Sequence, residues 1–377
     1  MKKPLKKLQR KQLKKQVKKA DLKGHGSISQ EVHMKKFEGF GHGINLGGWL
    51  SQCDYSKERF DNFITEDDIR TIASWGLDHI RLPIDYNLVE TDEGEYKEDG
   101  FSYIDKTVEW CERYGLNLII DLHKTYGYSF DYLHNEYGFF ENERYQERFY
   151  RLWEELAGRY GNKPSSIAFE LLNEVTDKEY CDTWNSVAAI CIKRIRAIAP
   201  EVKILIGGYY NNCIEAIVDL DMPADENIVY NFHFYEPLIF THQGAFWVKG
   251  MDTSFRISVE APYSELEKCS SEQFEQMSLS FDAFDPQDSL SVEYFERSFA
   301  NAVEICEERG VALYCGEYGV IAEARAEDTL KWYQMISGAF EKYNIGRAAW
   351  TYKEMDFGIT DPHMQQVRED LIALLLL

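Results

Sequence analysis

The chain has 377 residues, 44% of them apolar and 14% aromatic, with a formal net charge of −22. That length and apolar content suit one large α/β barrel domain. The negative charge excludes nucleic acid as the main partner and favours a soluble protein with a neutral substrate.

The charge is uneven, because residues 1–23 carry ten Lys, one Arg and one Asp, a head of +10 against a remainder of −32. This head has no continuous apolar stretch, so it reads neither as a secretory leader nor as a membrane span. Residues 1–33 are expected to be a basic N-terminal extension, disordered or partly helical. Met34 then opens a folded domain that runs to residue 377.

Short apolar runs alternate with longer amphipathic segments from there on. The strand candidates in chain order are 43–48 (GINLGG), 79–83 (HIRLP), 118–123 (LIIDLH) and 168–174 (AFELLNE). They continue with 203–208 (KILIGG), 229–235 (VYNFHFY), 312–317 (ALYCGE) and 346–352 (GRAAWTY). Several are almost wholly apolar, as strands buried on both faces must be. Helical periodicity marks 66–75, 102–114, 142–160, 182–198, 290–309 and 327–343. Thr65 and Ser102 are expected N-caps, and Gly115, Gly310 and Gly346 are expected at helix C-caps or tight αβ turns. Eight such units predict a closed (β/α)8 TIM barrel, a single domain with a long loop insertion after strand six. A doubly wound sheet is disfavoured, since no GxGxxG follows the first strand. The insertion, roughly 238–288, holds Phe246, Trp247, Met251, Pro262 and Pro286, and a loop of that length is expected to wall or cover a site. The last residues, Leu371 to Leu377, are too few to span a membrane and read as the buried side of a final helix. The eight cysteines show no CxxC or Cys/His metal spacing, so no metal site and no cofactor is expected, and reduced thiols point to the cytoplasm.

The chemistry collects at strand ends. Glu174 and Glu317 each terminate an apolar run, where a carboxylate is costly to desolvate without partners. Arg81, Asp121, His123, Asn173, His233, Tyr235 and Trp350 end or follow other strands, so six strands deliver polar or aromatic groups to one mouth. Paired carboxylates on such a scaffold suit hydrolysis of a glycosidic bond. Arg81 and a tyrosine hydroxyl would keep one carboxylate ionised, and burial would help the other hold its proton. Glu170, four residues before Glu174, is read as structural and as a partner for Arg81. His233 and Tyr235 share a strand face. Trp49 and Trp247 are candidate sugar platforms at outer subsites, with His242 and Gln243 beside the latter, and Trp184 is expected to pack on a helix.

These residues give the chain a recognisable pattern. The segments Gly43–Leu50, His79–Pro83, Phe169–Glu174, Tyr230–Pro237 and Tyr314–Gly319 resemble glycoside hydrolase family 5, the retaining β-glycanases built on a (β/α)8 barrel. The resemblance runs from about Gly41 to beyond Asp356 and is strongest to compact clostridial endo-β-1,4-glucanases. It implies that Glu174 is the acid/base and Glu317 the nucleophile. It further implies that Arg81 and Tyr235 hold the nucleophile, His123 lines the glycone subsite and Asn173 contacts the sugar 2-hydroxyl. His233 would orient the acid/base, and Trp350 would be the platform at the cleavage point. One position departs from the pattern: Lys124 stands where a second histidine is frequent, which bears on substrate more than on mechanism.

The expected function is therefore a retaining β-1,4-glucanase, acting on β-glucan or oligosaccharides as a monomer. The alternatives within the family are a β-1,3- or mixed-linkage glucanase, a β-mannanase or a β-glucosidase. A non-catalytic sugar-binding barrel is the alternative of another class, and such a protein usually lacks one of the two carboxylates.

Overall fold

The computed structural model describes residues 34–131, 136–274 and 280–377. The basic extension expected over residues 1–33 lies outside the described residues. Eight parallel strands close in sequence order, each bonded to its neighbours and β8 back to β1. They are β1 (His42–Asn45), β2 (His79–Asp85), β3 (Asn117–Lys124), β4 (Ile167–Glu170), β5 (Lys203–Gly207), β6 (Ile228–Phe234), β7 (Ala312–Tyr318) and β8 (Gly346–Ala349). All eight expected strands are present. Four are shorter than expected: β1 ends at Asn45, the ladder of β4 at Glu170, four residues before Glu174, β5 at Gly207, and β8 just before Trp350.

Among the described residues, seven helices form the outer layer: α1 (Glu66–Trp75), α2 (Glu98–Tyr114), α3 (Glu143–Tyr160), α4 (Cys181–Ile198), α5 (Val292–Arg309), α6 (Ala326–Tyr343) and α7 (Arg368–Leu375). After β5 the corresponding place is taken by a short irregular turn, Tyr209–Asn212, and a 3-10 segment, Ile214–Asp219. Thr65 caps α1 in a capping box with Asp68. Ser102 is not a cap, because α2 begins a turn earlier at Glu98 and the Ser102 hydroxyl donates to the Asp99 carbonyl inside it. Gly115 and Gly310 end α2 and α5 in the left-handed conformation. Gly346 does not act this way; Asn344 takes that role for α6, and Gly346 opens β8.

Period-two alternation sorts the strand side chains. Along β3, Leu118, Ile120 and Leu122 face the helices in the main core, whereas Ile119 joins a separate interior cluster with Ala168, Leu205, Val229, Ala312, Tyr314 and Ala348. Phe37 and Phe40 stack at 4.3 Å in that same cluster, closing the barrel beneath its polar upper layer. Asp121 and His123, of the same parity as Ile119, enter the polar layer. The described part of the insertion after β6 contains two helices, Leu238–Thr241 and Tyr263–Gln273, so it is built structure and not a bare loop. No described helix is long and apolar enough to cross a membrane.

Candidate active site

The upper interior is organised around one guanidinium. Arg81, fully buried on β2, donates from Nε and Nη2 to both oxygens of Glu170 at 2.7 and 2.8 Å. Its Nη1 reaches Glu317 Oε1 at 2.7 Å and Asn45 Oδ1 at 2.9 Å. Its Nη2 also meets Asn173 Oδ1 at 2.8 Å and Asp121 Oδ2 at 3.0 Å. A planar five-donor fork suits this task, which a point charge could not perform. Glu170, read from sequence as a partner for Arg81, occupies that role; it also accepts from Asn231 Nδ2 at 2.8 Å. Burial, reinforced by neighbouring Asp121 and opposed by Arg81, pushes the Glu170 carboxyl up to about 7.

Glu317 and Glu174 face each other above this layer with different partners. Glu317 Oε2 accepts from the Tyr235 hydroxyl at 2.9 Å. Burial alone would raise the Glu317 carboxyl, but His233, Arg81, His123 and the Tyr235 hydroxyl together hold it below the usual carboxylate value. Burial and the Glu317 charge raise Tyr235 well above the ordinary phenol, so it remains a donor. Glu174, 9% exposed, accepts from His233 Nδ1 at 2.7 Å on Oε1 and from Asn211 Nδ2 at 2.8 Å on Oε2. Burial lowers His233, but the Glu317 and Glu174 carboxylates outweigh it, so its imidazole is raised. One atom each from Glu174, His233 and Glu317 lie within 4.8 Å of one another. Such a group could hold a metal ion on distance alone, yet Arg81 at 2.7 Å from Glu317 already supplies the positive charge a cation would bring.

Local sequence explains these positions. Gly316 precedes Glu317 where β7 shifts register against β6, and a Cβ there would lie 2.8 Å from Asn231 Oδ1 and 3.1 Å from His233 Nε2. Gly47, in the GINLGG motif, leaves room for the indole of Trp350, which a Cβ would approach to 2.8 Å. Trp350 stacks on His123 with centroids 5.8 Å apart and planes within 3°. His123 is fixed by Asp121 Oδ2 at 2.6 Å, whose charge outweighs burial and raises the imidazole. Asn173 keeps its Nδ2 buried and unpartnered, a donor available to a ligand hydroxyl.

The structure thus brings Glu174, Glu317, Arg81, His123, Asn173, His233, Tyr235 and Trp350 to one mouth. Trp350 is only 7% exposed, set in an apolar wall with Ala245, Ile321 and Phe357. Trp247, from the insertion, packs on that wall, and neighbouring Phe246 stands 75% exposed, edge-on to it at 4.9 Å. Trp49 does not join them. It is 1% exposed, its indole donates to the Phe60 carbonyl at 3.0 Å, and its face lies along Trp110, so no sugar can reach it. Gln243 is likewise committed to the backbone, at the Phe240 carbonyl and the Ile257 amide. His242 is driven down to about 4 by burial and is neutral. Trp184 packs on α4 as expected, its indole on the Gly207 carbonyl. Lys124 is buried near the rings of Tyr55 and Tyr86; its ammonium donates to the Tyr55 hydroxyl at 3.1 Å, and that hydroxyl donates to Asp85.

Sequence reasoning missed Asn45, Asn211, Asn212 and Asn231 as parts of this network. Asn231 shares strand parity with His233, and Asn45 lies within a motif already singled out, so both left a signal. Asn211 and Asn212 follow β5 in irregular backbone and left none.

Comparison with known proteins agrees with this geometry. Residues 33–356 match a family model described as cellulase (glycosyl hydrolase family 5). The chain is 51% identical over 314 residues to cellodextrinase A of Ruminococcus flavefaciens, covering 83% of this chain and 86% of that one. It is 41% identical over 342 residues to endoglucanase C of Acetivibrio thermocellus, covering 89% and 98%. Among solved structures it resembles endoglucanase Cel5A of Thermotoga maritima, with a TM-score of 0.70 and 25% identity over 89% of this chain and 97% of that one.

Proposed function

The chain belongs to glycoside hydrolase family 5, and from that premise we propose that Glu174 is its general acid and base and Glu317 its nucleophile. The enzyme hydrolyses β-1,4-glucan with retention, as an endoglucanase of the cellulase class. The observation that carries the mechanism is the short gap between two differently partnered carboxylates, with one oxygen of each within 4.8 Å of the other. Retaining enzymes use a separation of about 5–5.5 Å, whereas inverting ones need roughly 6.5–9.5 Å to admit a water.

In the first step Glu317, kept ionised by Arg81, His233, His123 and Tyr235, attacks the anomeric carbon. Glu174 gives its proton to the departing oxygen. In the second step Glu174 takes a proton from water, which attacks the same carbon and releases Glu317. The buried Asn173 amide is the donor for the sugar 2-hydroxyl, and the His123–Trp350 stack supports the ring at the cleavage point. Trp247 extends that apolar wall for a further sugar.

The catalytic unit is residues 34–377, working as a monomer on β-glucan and soluble oligosaccharides. All eight cysteines are unpaired, which suits a reducing compartment such as the cytoplasm. The test is an activated 2-deoxy-2-fluoro-β-cellobioside followed by mass spectrometry of the peptides. A covalent sugar on Glu317 and a β-configured first product are expected. A label elsewhere, or an α-configured first product on cello-oligosaccharides, overturns the assignment.

A further inference from the structure

Glu174 has a second donor that the chemistry above leaves unused. Asn211 Nδ2 meets its Oε2 at 2.8 Å, opposite the His233 contact on Oε1. Asn211 sits just past β5 in a run of three non-glycine residues with positive φ, Tyr210 at 48°, Asn211 at 57° and Asn212 at 59°. Backbone of this kind is costly for a residue that carries a Cβ and persists where surrounding contacts over-determine it. Asparagine is among the side chains that tolerate it best.

Two contacts tie the run to the acid's own segment. The Asn211 N–H donates to the Val175 carbonyl at 3.0 Å, and Asn212 Nδ2 donates to the Asn173 carbonyl at 2.6 Å. A Cβ at Gly207 would come within 1.9 Å of Asn212 Oδ1, so the glycine that ends β5 is what admits this side chain. Residues 173, 174 and 175 are therefore gripped in succession by two adjacent asparagines. His233 is buried, whereas Asn211 is exposed. The carboxyl oxygen that Asn211 holds is the outward one.

We propose that Asn211 is a positioning residue for the proton-transfer steps, an inference that rests on Glu174 being the acid and base. A carboxyl group offers about two lone-pair positions on each oxygen. His233 engages one on Oε1 and Asn211 one on Oε2. The outward Oε2 keeps a position for the catalytic proton, and the Asn211 amide fixes the torsion that aims it. In the first step that proton passes from Oε2 to the glycosidic oxygen as the bond from the anomeric carbon to that oxygen breaks and the bond to Glu317 forms. In the second step water returns a proton to the same oxygen.

The test compares aryl β-cellobiosides whose leaving phenols range from 2,4-dinitrophenol, which needs no acid, to 4-methylphenol, which does. Asn211→Gly removes the amide and retains the left-handed backbone. Its kcat/KM is expected to fall about 10- to 100-fold on the 4-methylphenyl substrate, within the range of a lost hydrogen bond to a charged group. The fall on the dinitrophenyl substrate is expected to stay below about 3-fold, because protonation is not required there. Asn211→Asp, which is isosteric and also at home in this backbone, should show the same dependence on the leaving group. A loss of equal size on every substrate marks a purely structural role and overturns the proposal, as does no loss on any. Glu174→Ala with the dinitrophenyl substrate separates the two readings. If azide accelerates it and yields β-cellobiosyl azide, Glu174 is the acid/base and the Asn211 result stands by itself. If azide has no effect, the failure lies with the assignment of Glu174.

Discussion

Replacing Arg81 with lysine keeps a positive charge at the centre of the barrel and removes the fork. The guanidinium serves five side chains: Glu170 at 2.7 and 2.8 Å, Glu317 at 2.7 Å, Asn45 at 2.9 Å, Asn173 at 2.8 Å and Asp121 at 3.0 Å. An ammonium offers about three donors from a single nitrogen, so at least two of these buried acceptors lose their partner. Each such loss costs about 1–3 kcal/mol, which gives about 2–6 kcal/mol for Arg81→Lys. That range brackets the 3–5 kcal/mol or so expected for breaking a buried ion pair. Urea denaturation at pH 7, with the slope unchanged, reads this quantity. The activity profile supplies a second reading. Arg81 is among the charges that hold Glu317 below the usual carboxylate value, so drawing the cation away lets that carboxyl rise. The acid limb of kcat/KM then moves to higher pH, by about one unit for a cation retained at longer range. A stability loss under about 1 kcal/mol together with an unmoved acid limb would refute the argument, because a point charge would then suffice where a planar fork was held necessary.

Three further outcomes follow from the same geometry. Tyr235→Phe removes the hydroxyl at 2.9 Å from Glu317 Oε2, so kcat/KM should fall about 10-fold or more and the acid limb should shift upward, as pH–rate measurements on an aryl cellobioside will read. Trp49→Ala should cost about 3–5 kcal/mol of stability with KM for cello-oligosaccharides unchanged; a raised KM in a well-folded variant would restore it as a sugar platform. Thermal stability should decline as pH rises from about 5.5 to 8. Glu170 is raised to about 7, so the folded protein holds a proton there that the unfolded chain has released above 4.5, and stability falls across that window. His123 and His233 are raised above 6.5, so what they contribute is complete below that pH and lost as pH passes through their folded values. Glu317, which is lowered, works the other way, and its contribution disappears as pH falls below 4.5. Scanning calorimetry in which Tm climbs steadily from pH 5.5 to 8 would contradict this balance.

The sequence made the barrel and most of the site legible because both obey short-range rules. Strands buried on two faces leave apolar runs, and parity along β3 and β6 puts Asp121 with His123, and Asn231 with His233, on the interior face. Trp49 reads from sequence as an open platform because nothing there places Trp110 against its face or the Phe60 carbonyl at its indole nitrogen. Ser102 looks like a cap from sequence, yet α2 extends backward beyond it to Glu98. The end of β4 was overdrawn because Leu171 and Leu172 remain buried after the ladder stops, so hydrophobicity continues where regular strand does not. Asn211 and Asn212 were invisible because their positions depend on left-handed backbone, which no periodicity reports.

The polar layer also bears on how divisible this enzyme is. Asn45, Arg81, Asp121 and Glu170 come from β1 to β4, whereas Asn231 and Glu317 come from β6 and β7. A fragment ending after β4 would carry one cation and two carboxylates facing an open sheet, and its complement would carry Glu317 with no cation beneath it. Neither piece could bury its charges alone. Two pieces divided near residue 200 would regain turnover only on joining edge to edge at both seams, so the return of hydrolysis would report the sealing of the cylinder itself.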